Sequence, residues 1–251
     1  MLAAQRHAYL LNRLAADGRL IAKDIAAQLR LSEDSVRRDL RELADAGLCQ
    51  RVYGGALPVS PAVADYATRA SVEATSKTRI AATAVGLIPS GSTVILDGGT
   101  TTLALVRALP ADLNCTVITH SPTIAASLIA HPIIEIYLLG GRLFKHSAVT
   151  CGAAAAEAAK NISADLFFLG VTAVHPLTGL TTGDSDEAAM KRLLADRAAE
   201  TYVLASVEKM GAASRYQVLP LSAVAGIITD APTTDTTRAL IDQGVVLFQA
   251  P

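Results

Sequence analysis

The 251-residue chain is poor in aromatic residues, cysteine and net charge, and each shortage narrows the class of protein. It has no Trp and only 4% aromatic residues, so its 51% hydrophobic content is mainly aliphatic, as in helices packed on a buried sheet. Cys49, Cys115 and Cys151 lack the spacing of a metal knuckle, and an odd number of cysteines argues against a disulfide framework. We therefore expect buried thiols, no metal and no cofactor.

Long apolar runs are also missing. The N-terminus mixes Arg, His and Asn into its apolar residues, unlike a signal peptide, and no run approaches the roughly 18 residues of a spanning helix. A soluble, cytoplasmic protein without a membrane partner is expected. The net charge of −1 gives no global attraction to nucleic acid, but residues 1–60 carry nine Lys/Arg against seven Asp/Glu.

The chain divides into two regimes. Residues 1–57 contain three helical patterns and a short basic tail, residues 58–76 are a linker with little periodicity, and residues 77–251 alternate β-branched runs with Ala-rich helices. Such alternation predicts an α/β domain with a mostly parallel sheet. The predicted strands are Thr93–Leu96, Thr116–Thr119, Ile134–Leu139, Leu166–Val171, Tyr202–Ala205, Gly226–Thr229 and Val245–Phe248.

The first 57 residues have the pattern of a helix-turn-helix followed by a hairpin. Helices are predicted at Ala3–Ala16 and Ala22–Leu29, and a third begins after Ser32, a natural N-cap, and ends at Gly47. The short gap before the third helix is typical of helix-turn-helix units. The following LCQRVYGGAL predicts a small basic wing, and the DNA-binding candidates are Ser32, Ser35, Arg37, Arg38, Arg41, Arg51 and Tyr53.

Two other interpretations of these arginines remain open. Acidic residues share their helix, so the arginines could form a solvated, internally paired face. The helix-turn-helix could also serve protein contacts alone. The short turn and the basic hairpin favour DNA, with some side chains entering the major groove and others contacting phosphates.

The segment VILDGGTTTLALV predicts a strand that delivers a small-residue loop to the start of a helix. Gly98 and Gly99 permit close backbone approach, and Thr100, Thr101 and Thr102 add hydroxyls to the free amides of a helix N-terminus. This pattern favours an anion site, although tight packing between strand and helix can also select glycines. It is neither a Walker loop nor a dinucleotide fingerprint.

At this point the sequence resembles a known family. SEDSVRRDLRELADAGLCQRVYGGAL is similar to the winged helix-turn-helix of DeoR-family bacterial repressors. The motifs DGGTTT, THS, LLGGRL, FFLGVTAV, GLTT, DEAAMKR and EKMG follow in family order. The resemblance implies a repressor of double-stranded operator DNA, controlled by a phosphorylated sugar or a related metabolite. It also implies an effector domain similar in fold to ribose-5-phosphate isomerase and glucosamine-6-phosphate deaminase.

Further effector-binding candidates lie on the motifs after DGGTTT. Among the cations that could contact an effector, we rank Lys209 and Arg142 above Lys191. The deaminase-like fold implies a phosphate contact at Lys209, whereas Lys191 could simply pair with Glu187 four residues earlier. Asp97 is either a ligand contact or a cap for its own loop. The remaining candidates are His120, Ser121, Gly141, Asp184 and Glu187.

Two segments of the chain differ from related sequences in a way that bears on catalysis. The family more often has Asp-Ser-Ser-Lys where this chain has Ser206-Val207-Glu208-Lys209, so a carboxylate is lost. Ribose-5-phosphate isomerases carry a carboxylate-rich segment where this chain has the acid-free Gly170–His175. We therefore expect a non-catalytic sensor, with an isomerase- or deaminase-like enzyme as the alternative. Because such DNA-binding modules usually occupy paired half-sites, we also expect a homo-oligomer, dimer or tetramer, on DNA.

Overall fold

A computed structural model describes residues 2–64 and 66–251. Its α-helices are α1 Ala3–Asp17, α2 Ala22–Leu29, α3 Glu33–Asp45, α4 Tyr66–Ser71, α5 Ala74–Val85, α6 Thr100–Ala108, α7 Pro122–Leu128, α8 Ala153–Ala159, α9 Ser185–Ala195 and α10 Asp235–Asp242. Its strands are β1 Leu20–Ile21, β2 Gln50–Val52, β3 Gly55–Leu57, β4 Thr93–Leu96, β5 Thr116–Thr119, β6 Glu135–Leu138, β7 Arg142–Phe144, β8 Val149–Cys151, β9 Ala164–Gly170, β10 Ala173–His175, β11 Gly179–Thr182, β12 Ala198–Leu204, β13 Tyr216–Leu219, β14 Gly226–Thr229 and β15 Leu247–Gln249.

The N-terminal domain is a winged helix-turn-helix. Arg30 follows the last residue of α2 as its C-cap and adopts a left-handed conformation (φ 54°), and α3 begins three residues later. Ser32 caps α3 by accepting a hydrogen bond from the Ser35 amide at 3.2 Å. Buried aliphatic side chains such as Leu10, Val36 and Leu40 fill the space between the three helices. The short turn predicted from sequence is confirmed.

The wing hairpin pairs with a third strand, β1, that the sequence pattern did not predict. Strand β3 pairs antiparallel with both β2 and the two-residue β1, so the sheet order is β1-β3-β2. A Cβ at Gly55 would lie 1.7 Å from the Leu20 carbonyl oxygen, so this position must be glycine for β1 to approach. The second glycine of the YGG motif therefore serves strand pairing.

An internal ion pair joins α1 to α3. Asp39 is 1% exposed, and both its oxygens accept hydrogen bonds from the Arg6 guanidinium. His7 Nε2 lies 3.3 Å from the same carboxylate. Burial alone would raise the pKa of Asp39, but the Arg6 hydrogen bond and charge hold that pKa below its ordinary value.

The C-terminal domain is built on a seven-stranded sheet in the order β15-β14-β12-β9-β4-β5-β6, with every neighbouring pair parallel. Consecutive residues of its central strands point to different cores. Ile95 and Phe167 pack against the side covered by α8 and α9, whereas Leu96 and Phe168 pack against the side covered by α5, α6 and α7. The predicted α/β fold with a mostly parallel sheet is confirmed.

Strands β4 and β9 lie side by side at a point where the chain changes direction. From β4 the chain proceeds outward through β5 and β6, whereas from β9 it proceeds the other way through β12, β14 and β15. The loops that leave the two strands therefore diverge, and ligands of open α/β sheets bind in the crevice that such loops leave. The DGGTTT loop follows β4, and Gly170–Thr172 follows β9.

Several smaller elements differ from the sequence-based expectation. The hairpin β7–β8 and the antiparallel sheet β10-β11-β13 were not predicted; they lie outside the alternation of strand and helix on which the prediction rested. The segment 58–76 contains α4 and the start of α5. All three cysteines are free and buried. Across residues 2–64 and 66–251, no helix has the length and apolarity to cross a bilayer.

The Arg6–Asp39 pair should stabilise the N-terminal domain. Asp39→Ala leaves the Arg6 charge, 13% exposed, without its partner, and we expect a loss on the order of 3 kcal/mol in the free energy of unfolding. Urea unfolding followed by circular dichroism measures it. Asp45→Ala at the exposed end of α3 is the control, expected within about 0.5 kcal/mol of the parent. Equal losses in the two variants would contradict a stabilising role for the pair.

Candidate functional site

The outer face of α3 and the wing form one exposed basic surface. Arg38 and Arg41 are exposed and form no ion pair within the described residues. Arg37 is bound to Glu33 one turn earlier at 2.8 Å. Arg51 lies exposed on β2, and Tyr53 is fully exposed at the tip of the wing. The internally paired interpretation thus holds for Arg37, whereas Arg38 and Arg41 are free to meet a polyanion.

A second candidate site lies at the junction of β4 and β9, around the N-terminus of α6. Gly99 precedes the helix with φ 122° and ψ 169°, a backbone conformation that glycine favours. Thr101 and Thr102 are 3% and 1% exposed, and neither hydroxyl has a hydrogen-bond partner among the described residues. Unpaired buried hydroxyls are costly, so these two atoms and the free amides of α6 are polar groups available to a partner.

Gly98 is constrained by packing. A Cβ at this position would lie 2.1 Å from Cγ1 of Val149, a buried residue of β8. The loop can approach the β7–β8 hairpin only because it carries no side chain there. One glycine of the pair thus serves packing and the other serves backbone conformation.

Three buried lysines line the cavity beside this loop: Lys77, Lys191 and Lys209. Lys77 Nζ donates to the carbonyls of Arg69, at 2.6 Å, and Val72. Lys209 Nζ makes one hydrogen bond within the described chain, a long one of 3.5 Å to the Leu204 carbonyl. Burial, only partly offset by Glu208, lowers the pKa of Lys209 to about 8. Lys209 is therefore the lysine whose donors are most available to an anion.

Lys191 is neutralised by carboxylates. Its Nζ lies 2.5 Å from Asp97 Oδ2 and 3.3 Å from Glu187 Oε1, so the predicted pairing with Glu187 is present. Burial would lower the pKa of Lys191, but the two carboxylates raise it above its ordinary value. Lys191 contributes charge to the cavity wall while its strongest contacts hold the protein together.

Asp97 has no exposed surface. Oδ1 accepts from the Gly98 amide and contacts His120 Nε2, both at 2.8 Å, and Oδ2 accepts from the Gly170 amide at 2.8 Å and from Lys191. Burial would raise the pKa of Asp97, but the charge of Lys191 and the contact with His120 hold it well below its usual range. Asp97 caps its loop, as one of the two sequence interpretations has it, and also joins three other segments.

Two carboxylates line the cavity. Glu187 Oε2 accepts from Thr182 Oγ1 at 3.0 Å while its other oxygen faces Lys191. Glu208 reaches the cavity from the turn after β12, and its Oε1 accepts from Ser206 Oγ at 2.7 Å. A carboxylate is thus present two residues after Ser206, the position where the family more often has Asp.

The opposite wall comes from the segment between the two domains. Ala62, Arg69 and Val72 line the cavity together with Lys77. The segment is fixed to the C-terminal domain, since the Ala213 amide donates to the Pro58 carbonyl at 3.2 Å and the Tyr66 amide donates to the His146 carbonyl at 3.1 Å. The chain that leads from the wing thereby becomes part of the cavity.

The structure separates the predicted effector residues into two groups. Five of them lie outside the cavity: Asp97, His120, Ser121, Gly141 and Arg142. Asp184 lines an adjacent cavity and caps α9. Those that line the cavity beside the DGGTTT loop are Gly98, Gly99, Thr100, Thr101, Thr102, Glu187, Lys191 and Lys209.

The excluded residues have other partners. His120 is buried between Asp97 and the Thr150 carbonyl, at 2.8 and 2.9 Å, and Ser121 Oγ donates to the Ala148 carbonyl at 2.9 Å. Arg142 is 69% exposed on β7 and pairs with Asp186 at 3.0 Å. From the sequence we ranked Arg142 above Lys191 as an effector contact, yet Lys191 lines the cavity and Arg142 does not.

Sequence reasoning missed Lys77, Arg69, Thr172, Thr182 and Glu208 as cavity residues. Glu208 directly precedes the predicted Lys209, so its proximity was available from the sequence. Lys77 and Arg69 lie in or beside the segment interpreted as a linker, where nothing in the pattern connects them to the DGGTTT loop.

Family models match both parts of the chain. Residues 6–62 match the DeoR-like helix-turn-helix domain, and residues 72–231 match the DeoR C-terminal sensor domain. The chain belongs to the DeoR family. It is a DNA-binding transcriptional regulator with a sensor domain, and the family resemblance inferred from the motifs is confirmed.

Full-length relatives support the assignment. The transcriptional regulator GlpR of Haloferax volcanii is 33% identical over 98% of this chain and 97% of its own length. The repressor GlcR of Bacillus subtilis is 32% identical over 96% and 94%. The glycerol-3-phosphate regulon repressor of Escherichia coli is 28% identical over 91% of both chains. Ribose 5-phosphate isomerase from Methanocaldococcus jannaschii resembles 53% of this chain and 52% of its own, with 20% identity and a TM-score of 0.39.

The Asp97 contacts predict a pH-dependent contribution to stability. A carboxyl whose pKa is depressed in the folded state stabilises it above the unfolded-state pKa of about 3.9, and this contribution is lost as pH falls through the folded pKa. Asp97→Asn should therefore lower the free energy of unfolding by about 3–5 kcal/mol at pH 7, and by progressively less below about pH 4.

Denaturant unfolding across this pH range, with exposed Asp112→Asn as the control, measures the difference between each variant and the parent. We expect the control difference to stay near zero throughout. A difference for Asp97→Asn that does not change with pH would show that ionised Asp97 is not what holds the four groups.

Proposed function

We propose that this protein is a repressor whose affinity for operator DNA is controlled by a phosphorylated, sugar-like metabolite bound beside α6. The observation that carries the proposal is the pair of buried, partnerless hydroxyls of Thr101 and Thr102 at the N-terminus of α6, with Lys209 lining the same cavity. Helix amides, hydroxyls and a weakly engaged ammonium are the donors that a phosphate group uses. Among the relatives, one is named for a glycerol-3-phosphate regulon, and glycerol 3-phosphate carries such a group.

The DNA-facing residues act through the exposed α3 surface. Arg38 and Arg41 lie three residues apart on one face and contact the major groove or its flanking phosphates. Arg51 and Tyr53 on the wing contact the adjacent backbone, and Ser32 and Ser35 fix the start of α3. A homo-oligomer presents two such surfaces to paired half-sites about one helical turn apart.

The ligand controls DNA affinity through the cavity wall that the interdomain segment provides. The segment 58–77 leads from the wing and also contributes Ala62, Arg69, Val72 and Lys77 to the cavity. A ligand that draws Lys77 away from the carbonyls of Arg69 and Val72 changes how this segment is held. If the ligand prefers an arrangement that does not fit DNA, it lowers operator affinity, and DNA reciprocally lowers ligand affinity.

The two sites should be separable by mutation. Arg38→Ala should weaken operator binding at least about tenfold while sugar phosphates still raise the melting temperature, because Arg38 lies on the DNA-facing helix. Thr101→Val combined with Lys209→Ala should leave DNA binding intact but abolish the response to sugar phosphates. Mobility shifts at several salt concentrations and thermal-shift assays measure both properties.

Arg107→Ala, an exposed arginine at the end of α6, is the control and should change neither. Operator binding by the parent should weaken steeply with salt, as phosphate contacts require. Binding that does not depend on salt would favour a protein partner for the helix-turn-helix. Loss of both properties in both variants would contradict the division of labour.

A second candidate function is sugar-phosphate isomerase- or deaminase-like catalysis, favoured by the two carboxylates in the cavity. Glu187 is bound by Thr182 and Lys191, and Gly170–His175 supplies no carboxylate. Among the described cavity residues this leaves Glu208 Oε2 as a candidate base, without a second free carboxylate beside it to act as the acid. We expect no turnover of ribose 5-phosphate or glucosamine 6-phosphate. A rate near the usual enzymatic range of about 1 per second or more would establish the enzyme instead.

A further inference from the structure

Glu208 introduces negative charge into a cavity proposed to bind an anion. Its position is set by the turn Val207–Lys209 after β12, and Ser206 Oγ donates to its Oε1 at 2.7 Å. The hydrogen bond fixes one carboxylate oxygen and so orients the other. The side chain lines the same cavity as Thr101, Thr102 and Lys209.

The second oxygen of this carboxylate has no donor. Glu208 Oε2 is inaccessible to solvent and has no hydrogen-bond partner among residues 2–64 and 66–251. The nearby lysines do not supply one: Lys77 Nζ donates to the carbonyls of Arg69 and Val72, Lys209 Nζ donates to that of Leu204, and neither is bonded to Oε2. A buried carboxylate oxygen without a donor is costly, so the missing donor is expected from a ligand.

The charge of Glu208 restricts the chemistry of that donor. An anionic ligand group next to this carboxylate would be repelled, whereas a hydroxyl group can donate to Oε2. We propose that Glu208 determines effector specificity by accepting a hydrogen bond from a ligand hydroxyl, which selects polyol and sugar phosphates over phosphorylated carboxylic acids. This rests on the proposed effector site.

Matched pairs of probes test the proposal. Glycerol 3-phosphate and 3-phosphoglycerate differ in a hydroxymethyl against a carboxylate group, as do glucose 6-phosphate and 6-phosphogluconate. Calorimetry on the full chain should give tighter binding of the hydroxyl member in at least one pair. Glu208→Gln should reduce this preference at least about tenfold, since it removes the charge that repels the carboxylate.

Two variants serve as controls. Glu73→Gln makes the same change at a nearby carboxylate outside the cavity and should leave the preference unchanged. Glu208→Asp keeps the charge and should retain the preference even if both members bind more weakly. Melting temperatures without ligand show that each variant is folded.

The outcomes separate the two proposals. If the parent binds both members of each pair equally, or if Glu208→Gln changes both affinities by the same factor, the specificity role of Glu208 is overturned while the effector site stands. If neither the probes nor inorganic phosphate binds the parent, the effector site fails and the role of Glu208 fails with it. A preference that falls in Glu208→Gln alone supports the assignment.

Discussion

The carboxylate of Asp97 accepts hydrogen bonds from both sides of the point where β4 and β9 diverge. Its partners are the amides of Gly98 and Gly170, the ring of His120 after β5 and the ammonium of Lys191 on α9. Three strand ends and one helix are therefore positioned by one ionised side chain. Because both groups are buried, removing Lys191 leaves Asp97 without its cation, and removing Asp97 leaves Lys191 with Glu187 as its one remaining ion-pair partner among the described residues.

This arrangement divides the charges of the sensor domain into those that hold the fold and those that remain available. Lys191 is neutralised by Asp97 and Glu187, and Lys77 is bound by backbone carbonyls. Lys209 retains a single long hydrogen bond among the described residues. The sequence alone cannot show which of the three lysines is available, because that depends on which acceptors each ammonium contacts in the folded protein.

The regular parts of the fold followed from periodicity. Strands β4, β5 and β14 have the predicted boundaries, because a run buried on both faces is apolar throughout and ends at polar or small residues. Short elements escaped prediction: β1 has two residues, and its pairing depends on contact with Gly55. At the site, consecutive motif residues such as Thr100–Thr102 were found from sequence. Lys77 and Arg69 were missed because only tertiary structure brings them to the loop.

The cavity wall formed by the interdomain segment also limits how this protein can be recombined with its relatives. Ala62 is the last residue of the helix-turn-helix match and Val72 the first of the sensor match, so the stretch between them belongs to neither module. Yet Ala62, Arg69 and Val72 all line the cavity. A chimera that joins this sensor to a foreign DNA-binding domain at residue 72 would lack part of the cavity wall. The smallest transferable unit that keeps the cavity whole therefore begins before the sensor match, in residues that sequence comparison treats as the connection between domains.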